Sequence, residues 1–257
     1  MTGRPFLLGE TTWKTVKETR YQIAVLPWGA IEAHNYHLPY ATDVVLCERL
    51  AEVSARLAWE RGAKVIVLPA VPFGVNTGQL DITLTINMNP STQAAVLADV
   101  IASLAGQGIP KLLVFNGHGG NDFRQMLREL QPKFPGLFLC CLNWYQVLEA
   151  GRYFQPGDHA GDLETSLMLH LAPDLVSPLS AAGPGHARSF RLRALREKWV
   201  WAQRQWSRVT EDTGVGDPSS ATAQKGAAYA KDLTETIASF LVELGTCSVD
   251  QLYESAP

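Results

Sequence analysis

Four short apolar runs recur along this chain, with helix-length stretches between them. They lie at 21–26 (YQIAVL), 64–68 (KVIVL), 111–115 (KLLVF) and 137–142 (LFLCCL). The stretches at 44–61, 90–106 and 121–130 carry apolar residues at helical spacing. Asp43 stands at the start of the first helix, Pro90 suits the first turn of the second, and Asn121 is placed to cap the third. Strands alternating with helices of this length imply βαβ units, hence an α/β fold with a mostly parallel sheet.

Beyond Trp144 the rhythm changes. Residues 151–161 read as loop, 162–171 as helix, and 176–185 are rich in Ser, Pro and Gly. Residues 198–209 (KWVWAQRQWSRV) fit an amphipathic helix or an edge strand, and their Val and Trp content favours the strand. A turn at 214–220 leads into a helix reaching about residue 244. No repeat, low-complexity tract or linker interrupts the chain, so one domain over 1–257 is expected.

Hydrophobic residues make up 46% and charged residues 18%, which predicts a buried core and excludes global disorder. A net charge of −3 leaves no electrostatic footprint for nucleic acid. The one cationic cluster, 188–196, reads as an exposed, partner-facing segment. Residues 1–20 are charged throughout, unlike a secretory signal, and no run approaches the roughly 20 apolar residues of a membrane span. Of four cysteines only Cys140 and Cys141 are close, and neighbours on a strand point to opposite faces. Reduced, buried thiols in a cytoplasmic protein are expected.

In an open parallel sheet, ligands collect beyond the carboxyl ends of the strands. Three polar segments fall there: 32–43 (EAHNYHLPYATD), 116–121 (NGHGGN) and 158–164 (DHAGDLE). Glu32 and His34 are two residues apart, so an extended segment projects both to one side. Asp43 could be a helix cap alone, but beside them it reads as a ligand whose two oxygens suit a bridge between metals about 3.5–4 Å apart. His118 stands between glycines that allow close backbone approach, and reads as a further ligand. Glu164 opens a helix, where it is either a dipole-compensating carboxylate or a ligand. His159 and Asp158 are candidate proton carriers. Imidazoles with carboxylates suit a divalent ion such as zinc or manganese, so a metal-dependent hydrolase is the leading reading.

These segments resemble the creatininase (creatinine amidohydrolase) family over about residues 26–226. The Glu-x-His-x8-Asp spacing of Glu32, His34 and Asp43 matches its first metal motif. The Asn-Gly-His-Gly-Gly-Asn at 116–121, the His-Ala-Gly-x-x-Glu-Thr-Ser at 159–166 and the Gly-Asp-Pro at 216–218 also match. The resemblance implies a three-layer α/β/α sandwich and hydrolysis of a non-peptide or cyclic C–N amide bond of a small molecule. It also implies a binuclear centre of Zn2+ or Mn2+ (with Fe2+ admitted) and a homo-oligomer, often a hexamer. Carried over by position, Glu32, His34, Asp43 and His118 are metal ligands, with Asp43 bridging. Creatinine-hydrolysing members carry an acidic ligand two residues after the histidine matching His118, where this chain has Gly120 behind Gly119. A fifth ligand is then expected from Glu164, and creatinine is expected to be a poor substrate beside formamide-type or other small amides. Residues 74–79 (GVNTGQ) occupy the place of a substrate-contact loop, so Asn76, Gly119 and Gly120 are the expected substrate contacts.

Two other classes compete. His118-Gly119-Gly120 resembles the oxyanion loop of a serine esterase, but the chain has no G-x-S-x-G nucleophile elbow. The alternative is a non-catalytic binding protein that keeps the fold. Gly120 is its best support, and the intact Glu32, His34, Asp43 and His118 argue against it.

Overall fold

The computed structural model describes residues 3–254. Strands β1 (Ile23–Trp28), β2 (Val65–Val67), β3 (Lys111–Asn116) and β4 (Phe138–Asn143) form a parallel sheet in the order β2-β1-β3-β4. The helices are α1 (Trp13–Glu18), α2 (Thr42–Glu60), α3 (Pro90–Gly106), α4 (Phe123–Leu130), α5 (Asp162–Leu171), α6 (Arg193–Arg196), α7 (Trp206–Val209) and α8 (Ala223–Thr246). Strand β5 (Gly157–His159) pairs antiparallel with β6 (Val215–Gly216).

The alternation of the strands builds the expected three layers. Ile23, Val25, Leu113 and Phe115 point into one core, with Leu46 and Leu50 of α2, Leu167 of α5 and Leu233 and Leu241 of α8. Ala24, Leu26, Trp28, Leu112 and Val114 point the other way, against Leu97 and Ile101 of α3 and Phe123 and Leu127 of α4. Period-two alternation thus reads out as two helical layers on one sheet. No helix among the described residues is long and apolar enough to cross a membrane.

Four local expectations are corrected. β1 does not stop before Pro27 but runs through it to Trp28; a proline still accepts, and its carbonyl takes the Val71 N–H at 3.0 Å. Asp122, not Asn121, caps α4, because the Asn121 amide is already bonded to Val75, Gln93 and Asn116. Residues 198–209 hold no strand, only a turn and bend at 198–200, irregular chain at 201–205 and the single helical turn α7. Of the cysteines only Cys47 is fully buried; Cys140 and Cys141 lie on the edge strand β4, which is covered on fewer sides, and all four are free.

Strand β1 connects to β2 on one side and lies beside β3 on the other. The chain therefore reverses its direction of winding between β1 and β3, and a crevice opens there at the carboxyl ends of the strands.

Candidate metal centre

The loops after β1 and β3 meet over that crevice. α2 can start between them because both neighbours are glycine: a Cβ on Gly29 would stand 2.7 Å from the Val44 nitrogen, and one on Gly117 2.9 Å from the Asp43 carbonyl oxygen. The approach carries Asp43, in the first turn of α2, under Glu32 and His34. Asn116 fixes the second loop, accepting from the His118 N–H (3.1 Å) and donating to the His118 carbonyl (2.9 Å). β5 supplies His159, and its partner β6 contains Gly216 of the Gly-Asp-Pro motif, which packs against Gly157. Glu164 comes from the first turn of α5.

Six of the expected residues converge. Glu32, Asp43 and His118 offer ligand atoms within one ion's reach, as do His34, Asp43 and Glu164, and again Glu32, His34 and His159. Asp43 belongs to two of these groups: Oδ1 lies 3.2 Å from His34 Nε2 and Oδ2 lies 3.0 Å from His118 Nδ1. Glu32 Oε1 lies 3.0 Å from His118 Nδ1 and 3.6 Å from His159 Nδ1. His34 and Glu164 are 4.0 Å apart.

The outer ring nitrogens are all spoken for. His34 Nδ1 donates to the Glu32 carbonyl (3.0 Å), His118 Nε2 to the Val75 carbonyl (3.0 Å) and His159 Nε2 to the Ala33 carbonyl (2.8 Å). A carbonyl can only accept, so each imidazole, when neutral, keeps its proton outside and turns a lone pair inward. That is the arrangement by which proteins orient metal-ligating histidines.

The donor set fits divalent cations on electrostatic grounds too. Glu32 and Asp43 are 2% exposed, and Asp43 Oδ2 receives no hydrogen bond despite the nearness of His118. Burial would raise the carboxyls of Glu32 and Asp43, but the adjacent histidines outweigh it and hold both below the usual range. Burial would likewise depress His34, but Asp43, Glu164 and Glu32 together raise it to about 10; Glu32 and Asp43 raise His118 in the same way. Without metal, the buried carboxylates of Glu32 and Asp43 are thus balanced by protons on His34 and His118. Divalent ions would replace those protons.

The centre floors a cavity of about 510 Å³, whose lining includes Gly119, Gly120, Tyr145, Asp158 and Arg204. Asp158 is not drawn into the cluster. Its carboxylate is 2.7 Å from Arg204, at a half-exposed position. Asn76 also lies apart: its amide donates to the Ile31 and Ile86 carbonyls, and it lines a neighbouring cavity of about 340 Å³ that shares Gly119 and Gly120. Position 120 admits no side chain, since a Cβ there would overlap the Val75 carbonyl and the His118 ring.

Three contributors escaped the sequence reading. Gln79, in the loop singled out at 74–79, donates to Glu32 Oε2 and leaves Oε1 to the histidines. Trp206 sets its ring edge-on to His159 with centroids 5.3 Å apart, and Arg204 lies over the Trp206 ring at 4.4 Å. The aromatic residues of 198–209 were the available signal, but nothing local says that they face a loop some 45 residues earlier.

Comparison with known proteins agrees with this geometry. The sequence model of the creatininase family, described as creatinine amidohydrolase, matches residues 9–241. The chain is 30% identical to the mycofactocin precursor peptide peptidase of Mycobacterium tuberculosis, over 85% of this chain and 84% of that protein. It is 29% identical to the creatinine amidohydrolase of Pseudomonas putida, over 68% and 75%. A candidate creatinine amidohydrolase from Bacteroides fragilis superposes with a TM-score of 0.92 at 41% identity, covering 97% of this chain and 99% of that one. A creatininase variant solved in its Zn-Zn form superposes at 0.76 with 25% identity, covering 94% and 99%. Fold, motif order and donor set point the same way: the chain belongs to the creatininase family.

Proposed function

We propose that this chain is a metal-dependent amidohydrolase that cleaves a C–N amide bond of a small molecule. A pair of divalent ions, zinc or manganese with iron as a further candidate, would be held by Glu32, His34, Asp43, His118 and Glu164, with Asp43 shared. One observation carries the reading: three imidazoles tied to backbone carbonyls turn their inner nitrogens onto the buried carboxylates of Glu32 and Asp43 and the partly buried one of Glu164. Ions held there would supply Lewis acidity and lower the pKa of water towards neutrality. The chain's own groups do the rest. His159 is fixed in one tautomer by Ala33 and braced by Trp206, so Nδ1 is its basic atom. That nitrogen takes a proton and returns it to the leaving amine.

The scissile bond is, on our reading, a non-peptide or cyclic amide. Creatinine itself is disfavoured, because position 120 is closed to the acidic side chain of the creatinine-hydrolysing pattern. A peptide-type amide is the second reading. It is supported by the match to the M. tuberculosis peptidase along most of both chains, and by the two further cavities that share lining residues with the one over the centre. A homo-oligomer forms part of the same proposal, and light scattering checks it. Chelator-treated and zinc- or manganese-loaded protein should be compared on formamides, lactams, short peptides and creatinine. Metal-dependent amine release from at least one class, with creatinine weak, is expected. Loaded protein inert towards all four would support the non-catalytic alternative.

A further inference from the structure

A wide cavity of about 1110 Å³ adjoins the metal centre and is lined by six cationic side chains and a single carboxylate, Asp158. The charge is concentrated there. Residues 186–209 hold seven of the chain's 22 Lys and Arg and one acidic residue, in a protein of net charge −3. Arg188 and Arg193 are paired with Glu211 and Glu197, whereas Arg191, Lys198 and Arg208 have no carboxylate partner among the described residues. A merely solvated basic face would not need to open onto an active cavity. This one does, because Asp158 and Arg204 line both spaces.

Arg204 is the fixed point between them. Asp158 holds its guanidinium from one side at 2.7 Å, and the Trp206 ring supports it from another at 4.4 Å. Trp206 in turn rests on His159. An oriented guanidinium therefore stands one aromatic layer from the proposed proton carrier, with donors beyond the one that Asp158 uses. Its planar fork matches the oxygens of a carboxylate or a phosphate.

We propose that the substrate carries an anionic group, carboxylate or phosphate, several bonds from the scissile amide. Arg204, with Arg191 and Arg208 behind it, binds that group in the basic cavity. The inference rests on the amidohydrolase reading and narrows it: a small neutral ring would leave this cavity unused. Asp158 acts here as a positioning residue for Arg204.

Hydroxamates, which chelate divalent ions through their own oxygens, make the test independent of turnover. A straight-chain series ending in a carboxamide, a carboxylate or a phosphonate is titrated calorimetrically into the zinc-loaded full-length protein, at low and at high salt. The carboxamide probes report on the metal centre. At one chain length an anionic probe should bind about tenfold more tightly than its carboxamide, the scale of one charge-assisted hydrogen-bonded contact. Whichever anion gains more identifies the natural group. The preference should shrink at high salt and fall towards unity in Arg204→Gln and Arg208→Gln. Equal affinity at every length, or a preference that survives both substitutions, overturns the proposal. Carboxamide probes that fail to bind strike at the metal centre instead, and the proposal falls with it.

Discussion

Asp43 lies in the first turn of α2 yet makes no capping bond; Ala41 occupies the N-cap, and the carboxylate faces His34 and His118. Asp43→Ala should therefore strip both ions, as elemental analysis will show, and should also cost the metal-free fold the buried pairing of Asp43 with His34 and His118. A capping role would instead cost about 0.5–2 kcal/mol and leave the metal in place. His159→Asn should retain both ions, yet turnover on a good substrate should fall about 10²–10⁴-fold, the usual loss of general acid–base help. Loss of metal in that variant would make His159 a ligand. The histidines also set a pH dependence. In the metal-free protein burial lowers His34, but the carboxylates raise it to about 10. A folded-state pKa above the unfolded value of about 6.5 gives stabilisation that is complete below that pH and lost as pH rises through about 10. Chelated protein should melt at falling temperature across this alkaline range. Loaded protein, with metal in place of the inner protons, should lack that slope; parallel melting curves for the two forms would contradict the assignment.

At the scale of elements, the loop 117–121 and the loop 74–79 are packed so closely that Gly120 lies against Val75 and the His118 ring. Gly120→Ala should then destabilise by about 1–3 kcal/mol, as overpacking does, and weaken metal binding by displacing His118. Gly120→Glu should not create creatinine hydrolysis. Unchanged stability and metal content in Gly120→Ala would mean that the loops can move apart. The segment 198–209 shows why some elements were illegible in the sequence. Its Val and Trp content suggests a strand, but its path is set by distant contacts: Arg204 on Asp158, Trp206 on His159, Gln205 and Ser207 on Asp81. Tertiary contacts override local propensity there. Asn121 failed as a cap for the same reason, its amide being taken by three residues from elsewhere in the fold and its own loop.

For the molecule as a whole, the sheet was legible because strands buried on both faces appear as continuous apolar runs between helical stretches. That pattern also placed Glu32, His34, Asp43, His118, His159 and Glu164 at the strand ends, and the reversal between β1 and β3 makes those ends converge. Orientation was not legible. That Gln79 turns Glu32, that Ala33 fixes the tautomer of His159, and that Asp158 faces Arg204 are all matters of three-dimensional contact. The central claim is that this convergence builds one site for two ions. Elemental analysis of protein saturated with zinc or manganese and then freed of loosely bound ions measures it directly. Two ions per chain are expected, both lost in Asp43→Ala and one lost preferentially in either His34→Ala or His118→Ala. A plateau at one ion or none under the same conditions would contradict it.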